Sequence, residues 1–308
     1  MAITALLLSA PIAGSAASST IGVEIQADTV AELESRFAEM NYHWPPASPG
    51  QVPLLSLQRL PGDFPGIASA NQRRELFLRA VLPLVMLENR RLRERRQLAE
   101  WMLSRPLPEQ GSPAHRWLDE IRREFRVRGE LSDPEVRRQI LLRLDEIPVA
   151  LALAQAAIES GWGTSRFALQ GNSLFGQWTF QSGAGLTPNG RDPDATHLVA
   201  SFPDLRASVR SYMRNLNSGR AYREFRAQRA ALRRQGRPLS PIPLTKYLHR
   251  YSQRGEDYVR ELDTIINGPG LNELRAEAWL QRWNTGPGWS AARADAQPTP
   301  ATPHNEAL

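Results

Sequence analysis

The chain contains no cysteine. Disulfides, thiolate nucleophiles and thiolate metal ligands are thereby excluded, and the compartment is left open. Lysine is nearly as scarce: Lys246 is the single one among 38 basic residues. The net charge of +6 is therefore carried by arginine. An arginine-favouring genome explains this bias better than nucleic-acid binding does. A basic surface still favours an anionic partner, whether a wall polymer, a membrane or a nucleic acid. The five histidines (His43, His115, His197, His249 and His304) show no HxxxH or HExxH spacing. That argues against a protein-borne zinc site, and no metal or cofactor is expected.

Long apolar runs are also missing. The first residues, MAITALLLSAPIAGSAASS, are apolar and then small. They read as the h-region and cleavage end of a secretory signal, too short for a transmembrane helix. The usual basic n-region is absent, since no Lys or Arg precedes Arg36. Residues 1–25 are thus expected to be an export signal. The mature protein is expected in the periplasm or cell envelope, as a monomer without a membrane span.

What the chain does contain is one carboxylate in an unusual place. From Ile147 to Ile158 it reads IPVALALAQAAI, with Gln155 the only hydrogen-bonding side chain. Such a run predicts a buried helix. It ends in Glu159, followed by Ser160-Gly161-Trp162-Gly163. A glutamate there must be solvated, paired or protonated, because burying a bare charge is costly. The glycines allow a sharp exit, and Trp162 can wall the carboxyl. A partly desolvated glutamate at a helix end suits a general acid near neutral pH. The bland alternative is an ion pair with a nearby arginine such as Arg166.

Residues 26–70 are rich in Pro and Gly and are expected to be an extended linker or surface strap. Residues 71–146 read as a helical extension. Its first helix, over 74–103, should be kinked or broken at Pro83. The run ENRRLRERRQ (Glu88 to Gln97) is expected to be a solvated helix face. No aromatics interleave with its arginines, so a single-strand nucleic-acid surface is not expected. Further helices are read at 114–128, 134–146 and 148–159. Residues 181–200 are loop-like, with a short strand at 197–202. Helices resume at 204–216, 221–235, 243–250 and 258–266. Residues 269–308 hold one short helix around Trp279 and then a tail of disordered composition.

Residues 148–180, PVALALAQAAIESGWGTSRFALQGNSLFGQWTF, resemble the signature of the bacterial glucosaminidase family, peptidoglycan-cleaving N-acetylglucosaminidases of the flagellar-rod and autolysin type. The Bax-type periplasmic branch is the most similar. A second block, Tyr251-Ser252-Gln253-Arg254-Gly255-Glu256-Asp257-Tyr258, resembles that family's Tyr-x-Thr-Asp-x-x-Tyr segment without its Thr-Asp pair. The resemblance runs from about residue 71 to 266.

It implies a mainly α, lysozyme-like α+β fold with a small β-hairpin or loop lobe, its catalytic domain at 147–268. It implies that Glu159 protonates the oxygen of the β-1,4 bond between N-acetylglucosamine and N-acetylmuramic acid, and that the partner is the peptidoglycan glycan strand. A second carboxylate is usual. The family's glutamate for that role is missing, since no glutamate lies between Glu159 and Glu224. Asp192 and Asp194 are the candidates, although Asp beside Pro and Gly is ordinary turn chemistry. The substrate's own N-acetyl group could serve instead, or the protein could be inactive. Tyr251 is a candidate for bonding the reacting sugar or water. Trp162, Phe175, Trp178 and Tyr258 are candidate sugar contacts, with Phe175 better suited to the core. Asn172 either holds the loop beneath the cleft or bonds a substrate amide. Two alternatives stay open: a lytic transglycosylase using Glu159 alone, and a non-catalytic wall-binding protein that kept the cleft.

Overall fold

The computed structural model describes residues 22–189, 194, 196–268, 271 and 274. The expected export signal, Asp192, the helix around Trp279 and the tail lie outside them, apart from residues 22–25 of the signal.

Its spine is α2 (Ala70–Leu103), which Ser69 caps by accepting a hydrogen bond from the Gln72 amide. The helix runs through Pro83 unbroken. A proline there removes one backbone bond and costs about 3 kcal/mol. Burial offsets that cost, because residues 76–78 and 80–89 are all buried. Against α2 pack the apolar helix α5 (Val149–Ser160) and the amphipathic α7 (Leu205–Ser218). Every residue of α5 from Val149 to Ala157 is buried, as its composition predicts. Its far side meets α10 (Glu256–Ile266). Further helices are α3 (Pro113–Glu124), α4 (Pro134–Arg143), α6 (Arg166–Gly171), α8 (Arg223–Arg234) and α9 (Ile242–Thr245).

A small antiparallel sheet forms the second lobe. β3 (Trp178–Thr179) and β4 (Gly185–Leu186) flank β5 (Leu198–Ala200), with Trp178 opposite Val199 and Gly185 opposite Ala200. The architecture is the expected mainly α, lysozyme-like α+β fold.

Two expectations are corrected. Residues 26–70 are not a bare strap. They carry α1 (Val30–Glu39), which buries Leu33 and Phe37 completely. The strand β2 (Leu55–Leu57) is buried at every position and pairs in parallel with β1 (Val23–Ile25). The prolines concealed β2, a buried triplet that packs on α2 and α7.

Nor is the ENRRLRERRQ run a solvated face. Glu88 is 1% exposed and receives Arg206 at 2.6 Å and Arg210 at 2.9 Å. Arg95 binds Glu124, and Arg93 binds Glu146. Asp145, also buried, gathers Arg96 from the run with Arg229 and Arg233 of α8. Burial pushes Asp145 up, but the three guanidinium charges outweigh it and hold the carboxyl below its ordinary range. The run bolts α2 to α7, to Glu124 and to the segment just before α5, because each is charged where it meets the run.

Candidate active site

Glu159 sits in the last turn of α5. The chain leaves that helix through three consecutive residues of positive φ: Gly161 at 59°, Trp162 at 56° and Gly163 at 81°. Ser160 stabilises the exit. Its hydroxyl donates to the Ala156 carbonyl at 2.6 Å and accepts from the Gly163 amide at 2.9 Å. Gly163 admits no larger residue. A Cβ there would lie 2.9 Å from both Leu60 and Phe77 and 3.1 Å from Phe64. The Ser-Gly-Trp-Gly sequence thus lets α5 end against the N-terminal extension.

The Glu159 carboxyl is pushed up to about 7, chiefly by burial. A hydrogen bond from Tyr258 works against that shift, Glu261 adds to it, and Arg254 opposes it. Tyr258 lies on α10 and is buried. Its hydroxyl accepts from the Gln155 side-chain amide at 2.9 Å. The Gln155 carbonyl in turn accepts from the Tyr212 hydroxyl at 2.6 Å. A directed relay results: Tyr212 donates to Gln155, Gln155 to Tyr258, and Tyr258 to Glu159. One hydrogen bond per group leaves the Tyr258 proton only one place to point.

Tyr251 lies flat on Tyr258, with ring centroids 5.7 Å apart and planes 5° from parallel. Its hydroxyl donates to the Phe175 carbonyl at 3.3 Å. Tyr222 is the fourth aromatic, 6.1 Å from Tyr251. The hydroxyls of Tyr212, Tyr251 and Tyr258 are held well above the ordinary tyrosine range and that of Tyr222 is raised, first by burial and further by the Glu159 charge. Opposite them, Gly176 turns at φ 59°, and a Cβ on it would stand 3.6 Å from Glu159 Oε2. A glycine there keeps the carboxyl open on the lobe side.

Residues 138–269 match the glucosaminidase family model, described as mannosyl-glycoprotein endo-beta-N-acetylglucosaminidase. The chain is also similar to Protein bax of Escherichia coli (strain K12), at 32% identity over 192 residues, which are 62% of this chain and 67% of that one. No solved structure matches it.

The chain belongs to the Bax-like glucosaminidase family.

Within this glucosaminidase fold the residues singled out from sequence divide. Glu159, Tyr251 and Tyr258 are brought together. Phe175 is not in the cleft: it is buried and stacked on Tyr212 at 3.9 Å, so it supports the tyrosines from below. Trp162 does not wall the carboxyl as expected. Its positive φ carries the indole to the α2 side, edge-on to Phe77 at 6.1 Å with the Arg74 guanidinium over it. There it lines a cavity of ≈ 620 Å³ with Trp44, Arg74 and Glu261. Asn172 caps α6 in the left-handed conformation, and its amide donates to the Phe202 and Pro203 carbonyls. It holds the loop. Trp178 is 60% exposed on β3, stacked on His197 at 4.3 Å. Asp194 is an exposed turn residue, and Asp192 lies outside the described residues. Arg166 bonds the Thr187 carbonyl rather than Glu159.

Sequence reasoning missed Tyr212, Tyr222 and Glu261. Tyr212 reaches Gln155 across 57 residues of chain. The one available signal was Gln155 itself, a polar side chain inside an apolar helix that had to find a partner. Glu261 follows Tyr258 by one helical turn, so the second tyrosine block carried it unmarked.

Proposed function

We propose that this protein is a peptidoglycan hydrolase of the periplasm or cell envelope. It cleaves the β-1,4 bond between N-acetylglucosamine and N-acetylmuramic acid, with Glu159 as general acid. The observation that carries this reading is a carboxyl pushed up to about 7 beside an open glycine turn, with a tyrosine hydroxyl donating to it.

A carboxyl at that value is substantially protonated at neutral pH and strong enough to give its proton away. It transfers the proton to the glycosidic oxygen as the sugar gains oxocarbenium character. The Tyr258 hydrogen bond strengthens as Glu159 becomes anionic, which stabilises the departing state more than the ground state. Tyr251, anchored at the Phe175 carbonyl, presents an aromatic edge to the reacting sugar.

A second reading is lytic transglycosylation by Glu159 alone. Two observations favour it. Asp194 is an exposed turn residue, and Glu261 is bound by Arg254 at 2.6 Å. Neither is a free carboxylate facing Glu159.

Product analysis on purified peptidoglycan tests both. New reducing-end N-acetylglucosamine supports hydrolysis at this bond, and an anhydro-muramic end supports transglycosylation. Equal turbidity loss with wild type and Glu159→Gln would overturn both, and no loss with either would leave a wall-binding protein.

A further inference from the structure

Two tryptophans that take no part in the chemistry at Glu159 meet in one cleft. Trp44, from the N-terminal segment, and Trp162, from the exit of α5, both line the cavity of ≈ 620 Å³. Asn71, Arg74 and Glu75 line it from the start of α2, and Glu261 lines it from α10. The cleft adjoins the acid. Trp162 stands three residues after Glu159. On α10, Tyr258 donates to Glu159, and Glu261, one turn further along the same face, borders the cleft. The Glu261 charge is felt at the Glu159 carboxyl. Trp44, Asn71, Arg74 and Glu75 all precede residue 138, where the family match begins.

The lining selects among ligands. Asn71, Arg74 and Glu75 are exposed, and none of their side chains has a hydrogen bond or ion pair among the described residues. They offer an amide, a guanidinium and a carboxylate, so donors and acceptors stand side by side. The Arg74 guanidinium covers the Trp162 indole at 5.3 Å. Trp44 is half-buried, and among the described residues no ring or cation is stacked on it. Charge in the cleft is balanced. Glu75 and Glu261 stand against Arg74 and against Arg254, which binds Glu261 at 2.6 Å. In a chain of net charge +6, this cleft does not draw an anion. It suits an uncharged ligand with an apolar face and a polar rim. A pyranose ring is such a ligand: its C–H face lies on an indole, and its hydroxyls bond at the edge.

We propose that this cleft is a saccharide subsite that seats an N-acetylglucosamine unit of the glycan strand on Trp44, with Asn71, Arg74 and Glu75 bonding its hydroxyls. The inference rests on the glycan-cleaving reading of Glu159. N-acetylglucosamine is the unit of that strand without a lactyl acid or a peptide, so it matches the balanced charge of the lining. The N-terminal extension then grips the strand beside the acid, with residues that lie outside the family match.

Binding tests it independently of turnover. Calorimetry measures the affinity of the Glu159→Gln protein for chitotetraose, an uncharged β-1,4 chain of N-acetylglucosamine. Binding is expected, and added salt should leave it unchanged. Trp44→Ala in that background should weaken it by about tenfold, the scale of truncating an aromatic anchor, and Trp44→Phe should recover part of the loss. Because Trp44 also packs against the core, Glu75→Gln is the second variant, at an exposed side chain without a partner. It should weaken binding by about threefold, the loss of one hydrogen bond. No binding of chitotetraose, unchanged affinity in either Trp44→Ala or Glu75→Gln, or displacement of the sugar by free stem peptide overturns the proposal. If chitotetraose binds with these losses but wild type releases no sugar ends from peptidoglycan, the subsite stands and the hydrolase reading falls. If wild type releases sugar ends while both variants bind as tightly as their parent, the subsite falls and the hydrolase reading stands.

Discussion

The Tyr258 hydroxyl donates its hydrogen to the Glu159 carboxyl while its lone pair takes the Gln155 amide at 2.9 Å. That arrangement makes the acid's strength adjustable from outside the carboxyl. It also fixes what each substitution should do.

Glu159→Gln keeps the shape and an oxygen for Tyr258 but has no proton to transfer. Turnover of purified peptidoglycan should fall by roughly 10²–10⁴, the usual worth of a placed general acid. Measured release of sugar ends checks it, with circular dichroism showing an intact fold.

The pH profile follows from the raised carboxyl. The acid works only when protonated, so kcat/KM should decline as pH rises through about 7. The stability sign is the same. The folded state holds this proton more tightly than the unfolded chain, whose glutamate titrates near 4.5. The Glu159 contribution is therefore complete below about 4.5 and lost as pH climbs towards about 7. Urea midpoints of wild type, compared with Glu159→Gln, should fall across that window in wild type alone.

Tyr258→Phe removes the bond that lowers the Glu159 value. The descending limb of the activity profile should move to higher pH, and kcat should drop, since the anion loses its donor. Tyr212→Phe, two bonds further back, should shift the same limb by less. An unmoved limb in Tyr258→Phe would remove the relay from the mechanism.

Asp145→Asn tests the charge cluster behind the site. It leaves Arg229, which is fully buried, without its compensating charge. Breaking such a pair from one side costs about 3–5 kcal/mol. Denaturant titration should show that loss, with little change in the pH limb set by Glu159.

The acid and the helix that presents it were legible because their signal is local. An apolar run, one carboxylate and a glycine-rich exit lie in one short stretch. Tyr251 and Tyr258 were legible through their block. The surroundings of the acid were not. Trp162 lies three residues on, yet its indole packs against Phe77 and under the Arg74 guanidinium. The carboxyl instead meets Tyr258, which only tertiary packing brings to it. The arginine run misled for a related reason. Charge on a helix ordinarily marks solvent, but here the facing elements supply Glu124, Asp145 and Glu146 in return. Pairing across distant segments leaves no periodicity in either one.

The tight seat of Gly163 bears on how this protein can be divided. Leu60, Phe64 and Phe77, which close over it, all precede residue 138, where the family match begins. A fragment cut at that boundary would keep the acid and lose the surface its helix ends on. Grafting or truncation should keep residues 60–77, because they form the seat on which the helix carrying Glu159 ends.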